Sequence, residues 1–168
     1  MKREVNLWEY AGKILETTGT GVLLTTKCEG KVNTMTIGWG TLGIQWGKPI
    51  YTVFVRESRY TKQMLEKHGE FTINVPMGEV DKNILKICGT KSGRDMDKIA
   101  ELNLHLEEGK VVDVPGIREL PLTLECKVIY KQDQDPDAVN AENTARYYPE
   151  GDYHTAYYGQ IVAAYIIE

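Results

Sequence analysis

Two arginines and two hydroxyl side chains lie within one short polar turn, Arg56-Glu57-Ser58-Arg59-Tyr60-Thr61. A helical pattern begins at Thr61, so free backbone N–H groups and the positive end of the helix dipole meet at this corner. The guanidiniums add charge-assisted donors, and together these groups form a suitable site for a phosphate or another anion. The alternative is a solvated turn whose arginines form surface ion pairs, each contributing under about 1 kcal/mol. Composition alone favours that alternative.

A polar strand segment and a basic loop are the next candidates for a binding site. Asn33-Thr34-Met35-Thr36 places polar residues in the middle of a β segment, and two glycines bracket Trp39 just after it. Glycine in a strand often marks a close approach of the backbone to a ligand, although an edge strand with one solvated face would show the same pattern. Lys91-Ser92-Gly93-Arg94 is a short basic loop, which is either a further anion contact or a simple connection between helices.

Several of these residues also have ordinary structural interpretations. Ser58 and Thr61 both fit the N-cap position of a helix. Trp39 and Trp46 could form the walls of a pocket for a planar ring, but a buried tryptophan in any core would give the same pattern. His154, just before the final strand, is either a catalytic group or a histidine on a strand rim without a function.

The composition is that of an ordinary globular protein. With 168 residues, 42% hydrophobic and 26% charged, the chain can form one domain over residues 1–168 that buries roughly 70% of the surface its unfolded form exposes. The net charge of −4 and the pI near 5.5 argue against a nucleic-acid or anionic-membrane partner, which would need a basic face.

The cysteines and the hydropathy pattern predict a cytoplasmic protein. Cys28, Cys88 and Cys126 are far apart and share no CxxC spacing. This indicates reduced thiols and argues against a disulfide framework or a bound metal. The N-terminus leads into an amphipathic segment, and no run approaches the eighteen or so apolar residues of a membrane span.

The candidate residues lie on a succession of short strands and helices. Residues 50–55 form a β-branched and aromatic run, a helical pattern follows from Thr61 to Gly69, and residues 71–75 resume the alternation of a strand. The N-terminal half is predicted to contain a helix from Asn6 to Gly19, a hairpin of residues 21–26 and 31–37 and a connection over residues 41–46. The C-terminal half is predicted to contain a helix from Val80 to Gly89, a helix from Asp95, weak strands at residues 104–106 and 111–112, a strand at residues 122–130, a loop at residues 132–143 and a last strand at residues 154–167.

This order of elements predicts a mainly β fold. Strands joined by tight turns, interrupted by short helices and closed by a long C-terminal strand, favour a Greek-key β-barrel with peripheral α-helices. A doubly wound parallel sheet is disfavoured, because no early GxGxxG follows a strand and because strands often follow one another without a helix between them.

Four separate segments together resemble the flavin reductase-like proteins of the flavoredoxin group. Their order and spacing agree with that family, and the resemblance extends to the last strand. The segments are Asn33–Thr36 with Trp39, Arg56–Thr61, Gly69–Pro76 and Ser92–Asp95. The resemblance implies an FMN-binding split β-barrel that works as a homodimer, with the flavin near the subunit interface.

The resemblance also implies a role for each candidate residue. Residues like Asn33, Thr34, Met35 and Thr36 run alongside the isoalloxazine ring, those like Arg56, Ser58, Arg59, Tyr60 and Thr61 meet the ribityl chain and phosphate, and those like Lys91, Ser92 and Arg94 approach the phosphate. Trp39 becomes a candidate wall for the ring. His154 lies near the reactive face of the flavin, as an orienting group or proton donor.

The implied activity is that of a flavin-dependent oxidoreductase. Reduced nicotinamide, NADH or NADPH, would pass electrons through bound FMN to an acceptor such as free flavin, iron or a redox protein. Two alternatives stay open. One is an FMN-carrying electron-transfer protein that uses no nicotinamide, and the other is a non-catalytic dimeric barrel that binds a ligand.

Overall fold

The computed structural model describes all 168 residues. Eight strands form one antiparallel sheet: β1 (Lys2–Glu4), β2 (Val22–Cys28), β3 (Lys31–Ile37), β4 (Gly40–Gln45), β5 (Lys48–Arg56), β6 (Glu70–Val75), β9 (Leu122–Asp133) and β10 (His154–Ile167). A separate pair consists of β7 (Leu106–Glu107) and β8 (Gly116–Ile117). The helices are α1 (Ala11–Thr20), α2 (Tyr60–Lys67), α3 (Lys82–Thr90), α4 (Lys98–Glu101) and α5 (Ala141–Tyr147), and none is long and apolar enough to cross a membrane.

The large sheet is open between two strands that follow one another in the chain. Its strand order is β3-β2-β6-β9-β10-β5-β4, with β1 beside β10. The two edge strands, β3 and β4, are therefore the ends of the sheet although only Gly38 and Trp39 connect them. The predicted mainly β, Greek-key architecture with short peripheral helices is confirmed.

Apolar side chains from these strands fill the interior of the sheet. Leu24, Tyr51, Phe71, Ile73 and Tyr157 are all at most 1% exposed and belong to one continuous cluster. These side chains come from four different strands. Burial of apolar area, the main favourable term in folding, therefore fixes the relative positions of the strands that border the site.

Helices α3 and α4 lie against β3. Asp81 caps α3 and Asp97 caps α4, each through its side-chain carboxylate. The prediction that Asp95 caps this second helix is wrong, because the helix begins later in the chain. Thr36 Oγ1 donates a hydrogen bond of 2.7 Å to the carbonyl of Leu85 and ties β3 to α3.

Two predicted connections contain regular structure. Residues 41–46, predicted as a connection, are mostly part of β4, which pairs with β5 along its whole length. Glycines at positions 40 and 43 and a largely exposed surface conceal the strand pattern. Residues 132–143, predicted as a loop, include the end of β9, a 3-10 turn at Pro136–Ala138 and the start of α5.

The weak strands predicted at residues 104–106 and 111–112 are misplaced, since the pair is formed by β7 and β8. The N–H groups of residues 110–112 donate instead to the carboxylate of Glu125, which is fully buried. Tyr165 donates a fourth hydrogen bond of 2.8 Å to the same carboxylate. A buried carboxylate with this many donors is well compensated, so it holds this loop without a strand ladder.

Candidate functional site

A cleft runs along the split in the sheet and consists of three connected cavities: the anion compartment, the central compartment and the outer compartment. The central compartment, about 210 Å³, lies between residues 35–39 and the side chains of Phe54, Arg56, Arg59 and His154. Met35 and Arg59 also line the anion compartment, about 90 Å³. Trp39 and His154 also line the outer compartment, about 590 Å³. The three cavities therefore form one cleft.

The anion compartment lies where the start of α2, the basic loop (residues 91–94) and β3 meet. Its charged lining side chains are all cationic: Arg59, Lys91, Arg94 and Lys98. No Asp or Glu lines it, although the whole chain carries a net charge of −4. The N–H groups of the first turn of a helix add to this positive potential, so the compartment is suited to an anion.

Gly93 allows the basic loop to lie directly on β3. A Cβ atom at this buried position would lie 2.1 Å from Asn33 Oδ1 and 2.9 Å from Tyr60 Cδ1. Asn33 Nδ2 in turn donates to Thr61 Oγ1 at 3.2 Å, which joins β3 to the start of α2. Nine of the predicted residues therefore come together along this compartment: Asn33, Met35, Ser58, Arg59, Tyr60, Thr61, Lys91, Ser92 and Arg94.

The Tyr60 ring lies between two cations. The Arg94 guanidinium is 5.5 Å from the ring centroid, and the Lys31 ammonium is 4.8 Å from it. Arg94 Nη1 also donates to the carbonyl of Ser58 at 3.0 Å, and Lys31 Nζ donates to the carbonyl of Gly93 at 2.8 Å. Hydrogen bonds therefore hold both cations in place, Arg94 in the lining of the anion compartment and Lys31 against the carbonyl of Gly93.

Lys98 was missed in the sequence, and it is the most deeply buried cation of the site, only 4% exposed. Its ammonium donates to the carbonyls of Lys91 at 3.1 Å and Cys88 at 3.5 Å. Burial lowers the pKa of Lys98, and the charge of Arg59 lowers it further. The sequence does contain a signal for Lys98. It directly follows the cap Asp97, where a cation interacts unfavourably with the helix dipole, and such a departure from a local rule is expected at functional sites.

Arg56 and Arg59 point to different surroundings. Arg56 donates to the carbonyls of Asp152 at 2.9 Å and Tyr147 at 3.0 Å, and it borders only the central compartment. Arg59 is exposed, has no side-chain partner within the chain, and lines both the anion and the central compartments. Arg59 is thus the better placed of the two to bind an anion, whereas Arg56 connects β5 to the end of α5 and the residues after it.

Ser58 belongs to the same link. Its N–H and hydroxyl donate to the two carboxylate oxygens of Asp152, at 2.9 and 2.7 Å. Although burial alone would raise the pKa of Asp152, these hydrogen bonds and the charges of Arg56 and Arg59 hold it below its usual value. Neither Ser58 nor Thr61 caps α2, because the N-cap position is Arg59 without a side-chain hydrogen bond.

Only some of the side chains in the predicted β3 segment line the cleft. Thr34 is fully buried, hydrogen bonds to Thr25 Oγ1 at 3.0 Å, and lines none of the three compartments. Met35 and Thr36 border the central compartment, but the Thr36 hydroxyl is used by α3. Trp46 lies at the β4–β5 turn, 58% exposed, and does not reach the cleft.

His154 and Trp39 separate the central and outer compartments. Their rings are 5.0 Å apart, and the Trp39 ring also meets Tyr147 edge-on at 5.0 Å. His154 Nδ1 is 2.8 Å from the hydroxyl of Tyr148. Burial, together with the charge of Arg56, lowers the pKa of His154 to about 4. The imidazole is therefore neutral near pH 7, which suits an orienting hydrogen bond better than proton donation from the cation.

Comparison with known proteins identifies relatives along nearly the whole chain. A family model described as the flavin reductase like domain matches residues 15–168. An uncharacterised protein of Archaeoglobus fulgidus is 37% identical over 99 residues, which cover 59% of this chain and 55% of that protein. The chain spans little more than half the length of the curated relatives that it matches.

Solved structures show the same fold. Flavoredoxin from Methanosarcina acetivorans superposes with a TM-score of 0.67 and 27% identity, over 88% of this chain and 68% of that chain. The FMN-binding domain of a flavin reductases-like enzyme from Shewanella baltica superposes with a TM-score of 0.70 and 22% identity, over 99% of this chain and 77% of that chain. With the family model covering nearly all of its residues, this chain belongs to the flavin reductase-like family of FMN-binding split-barrel proteins.

Proposed function

We propose that this protein binds FMN in the cleft and works as a flavin-dependent oxidoreductase that accepts electrons from reduced nicotinamide, NADH or NADPH. One observation carries the proposal: a cluster of four cations without a carboxylate opens directly into a cavity at the split in the barrel. A mononucleotide with a charged tail and a flat ring needs two adjoining sites of this kind.

The residues of the anion compartment fit a phosphate ester. Such a group carries about −1.5 to −2 charges at pH 7, and Arg59, Arg94 and Lys98 would hold it together with the first turn of α2. The buried ammonium of Lys98 has carbonyl partners but no carboxylate. A bound phosphate would compensate this charge, which is costly to bury alone.

The phosphate contacts alone would not explain tight binding. Micromolar affinity corresponds to about −8 kcal/mol, and each charge-assisted hydrogen bond contributes roughly 1.5–3 kcal/mol net. The ring must therefore also lose exposed surface, and the central compartment provides Met35, Phe54 and Trp39 for this. We place the flavin ring there.

Backbone N–H groups of β3 would stabilise the reduced form of the flavin ring. β3 is an edge strand, so part of its peptide groups have no partner strand, and residues 35–38 border the central compartment. N–H groups in such a position can stabilise negative charge on a reduced ring. When bound, FMN itself supplies the redox chemistry by accepting and releasing electrons.

His154 and Trp39 would act on the far side of the ring. The neutral imidazole can donate from one nitrogen while the other accepts, and Tyr148 holds its orientation. Trp39 covers the opening between the two larger compartments and limits the entry of water. These two residues would position the second substrate, without forming a covalent bond to it.

The direct test is the visible spectrum of the purified protein, followed by anaerobic addition of NADH or NADPH. A yellow protein whose absorption near ~450 nm bleaches rapidly with one of the two donors supports the oxidoreductase. Bleaching only by dithionite or a reduced protein partner would point to an electron carrier. A colourless protein that cannot be reconstituted with FMN would refute both.

We also propose that the protein is a homodimer. Large apolar side chains are exposed along the β4–β5 turn and the adjacent part of β9: Ile44, Trp46, Ile129 and Tyr130 are 70%, 58%, 38% and 40% exposed. The Trp46 and Tyr130 rings lie 5.9 Å apart, so at least part of this patch is continuous. Exposed apolar patches commonly mark protein interfaces, and a second copy is the partner that the family resemblance implies.

The three cysteines are consistent with a reducing cellular environment. Cys28, Cys88 and Cys126 form no disulfide, and burial raises the pKa of Cys88 to about 11, so this thiol is not a reactive nucleophile. Location in the cytoplasm, with a small molecule or a redox protein as electron acceptor, is part of the proposal.

A further inference from the structure

The outer compartment differs in charge from the rest of the cleft. None of its 14 lining residues is an Asp, Glu, Lys or Arg, whereas the anion compartment has four lining cations. The histidine that it shares with the central compartment is neutral near pH 7 because burial lowers the pKa of His154. An ion entering the outer compartment would therefore lose hydration without gaining a counter-charge.

The walls of the outer compartment are suited to a planar ring. Aromatic side chains of Trp39, Phe54, Tyr147 and Tyr148 line it together with Leu15. Aromatic rings stack on one another in offset or edge-to-face geometry, and the Trp39 and Tyr147 rings already meet edge-on. The cavity, about 590 Å³, is within the range of ordinary small-molecule sites.

Uncharged hydrogen-bond donors also face this cavity. Gln134 Oε1 accepts from the N–H of His154, which leaves the amide NH₂ of Gln134 free to donate. The side-chain amide of Asn143 and the hydroxyl of Tyr147 have no partner within the chain. Amide and hydroxyl donors beside aromatic walls match a flat molecule with carbonyl oxygens.

We propose that the outer compartment binds the electron acceptor, and that this acceptor is an uncharged, planar cyclic carbonyl compound of the quinone class. The inference rests on the proposed function, since the acceptor must meet the ring side of the cleft. The inference is more specific than the proposed function, because it disfavours anionic electron acceptors such as ferric complexes with carboxylate ligands.

The net reaction balances with the donor already named. The reduced nicotinamide loses a hydride, which is two electrons and one proton, and becomes the oxidised pyridinium. The quinone gains two electrons and two protons and becomes the hydroquinone. The second proton comes from solvent, and no further oxidant or reductant is needed.

Binding can be measured without turnover by titrating the oxidised, FMN-loaded protein in a calorimeter with naphthamide and with naphthoate. The two compounds share a ring system and a carbonyl group, but only naphthoate is charged at pH 7. Naphthamide should bind about tenfold more tightly, because desolvation of the carboxylate is not compensated. Equal affinities, or tighter binding of naphthoate, would overturn the inference.

A new cation at the rim of the outer compartment should abolish the preference for naphthamide. Asn143→Lys on α5 and Leu15→Lys on α1 each add one positive charge to the lining, at side chains that are exposed at present. Either change should reduce the naphthamide preference to about equal affinity for both compounds. Ala145→Lys is the matched control, since it adds the same charge to an exposed position of α5 outside the cavity. A similar effect of the control would contradict the location.

Turnover with duroquinone separates this inference from the proposed function. NADH- or NADPH-driven formation of duroquinol supports both. If neither donor bleaches the flavin, the proposed function fails, and the naphthamide preference still decides whether the compartment selects neutral rings. If the flavin bleaches but naphthoate binds as well as naphthamide, only the acceptor class is refuted.

Discussion

Arg56 and Arg59 belong to the same turn, yet their guanidiniums have different environments. Arg56 donates to the carbonyls of Tyr147, the last residue of α5, and of Asp152, so its guanidinium holds the end of α5 and the segment after it. Arg59 has no internal partner and borders two compartments. A guanidinium without an internal partner is free to bind an anion, so we expect the phosphate at Arg59.

Replacing Arg59 should therefore affect the phosphorylated flavin more than the unphosphorylated one. Arg59→Ala should weaken FMN binding by about 1.5–3 kcal/mol, as expected for a charge-assisted hydrogen bond, and riboflavin binding much less. Fluorescence titration of the apoprotein with both flavins measures the difference. Lys67→Ala removes an exposed cation at the other end of α2 and should leave both affinities unchanged. Equal losses for both flavins in Arg59→Ala would refute the phosphate contact.

Lys98 should show opposite effects on stability and binding. In Lys98→Met the buried charge and its desolvation cost are removed, so the apoprotein should be at least as resistant to urea as the wild type. The same change removes a donor from the anion compartment, so FMN affinity should fall by about tenfold or more. A variant that loses stability but keeps FMN affinity would make Lys98 a structural residue only.

His154 should make the folded protein sensitive to acid. In the unfolded chain this imidazole binds a proton near pH 6.5, but in the folded protein only near pH 4. The unfolded state therefore binds more protons between these values, and the free energy of unfolding should decrease as the pH falls from 6.5 to 4, by up to ~3 kcal/mol. Urea unfolding at several pH values should show a smaller decrease in His154→Gln. An unchanged slope would mean that the imidazole is not kept neutral by the fold.

The residue types of the site could be predicted, but not all of their partners. The polar turn, the β3 segment and the basic loop were recognisable because each is a local departure from its surroundings. Arg56 and Ser58 could not be separated from Arg59, because their partner Asp152 lies more than ninety positions away in the chain. Lys98 was overlooked because a single lysine at a helix start is read as a solvated residue.

At the scale of elements, the segment from β9 to β10 matters most, because α5 forms one wall of the outer compartment. Asn143 and Tyr147 reach that compartment from α5, and Tyr148 follows directly. The segment is connected to the β5–α2 turn by Arg56, Ser58 and their contacts with residues 147–152. The anion compartment and the outer wall therefore share one structural connection.

Breaking this connection should loosen the wall without unfolding the barrel. Arg56→Gln removes the charged donor that holds the carbonyls of Tyr147 and Asp152, so amide hydrogen exchange in residues 134–153 should become faster. Exchange in the core strands β6 and β9 should remain slow, because those strands lose no contact. Uniformly faster exchange throughout the protein would indicate global destabilisation and contradict a local role.

The predicted elements were correct where one strand face is clearly apolar, as in β5, β6 and β10. The predictions failed where glycines interrupt the alternation of apolar and polar residues, or where a side chain binds the backbone N–H groups in place of a neighbouring strand. β4 contains two glycines and a mostly exposed surface, so its strand pattern is weak. The loop at residues 110–112 looked like a strand because of its valines, but its N–H groups bind a buried carboxylate.

At the scale of the whole molecule, charge is distributed unevenly. The chain has a net charge of −4, but the lining of one end of the cleft is wholly cationic and the lining of the other end is uncharged. A negatively charged surface around a small positive cavity would guide phosphate esters by the local field more than by the net charge. The net charge of the whole chain therefore gives no information about the local charge of this site.

The exposed apolar patch allows a test of assembly. Trp46→Asp places a charge in the middle of this patch, at a side chain that is 58% exposed. The variant should therefore fold normally and sediment as a monomer where the wild type sediments as a dimer. Gln45→Asp, the neighbouring exposed position, is the matched control for the added charge and should remain dimeric. A monomeric wild type would contradict the homodimer.

The shape of the anion compartment depends on the absence of a side chain at Gly93. A hypothetical methyl carbon at that position would overlap Asn33 Oδ1 at 2.1 Å. Even alanine would act as a spacer between the basic loop and the barrel, shifting Arg94 and Lys91 outward together. The absence of one carbon atom thus sets the width of the gap that the phosphate tail would have to fill.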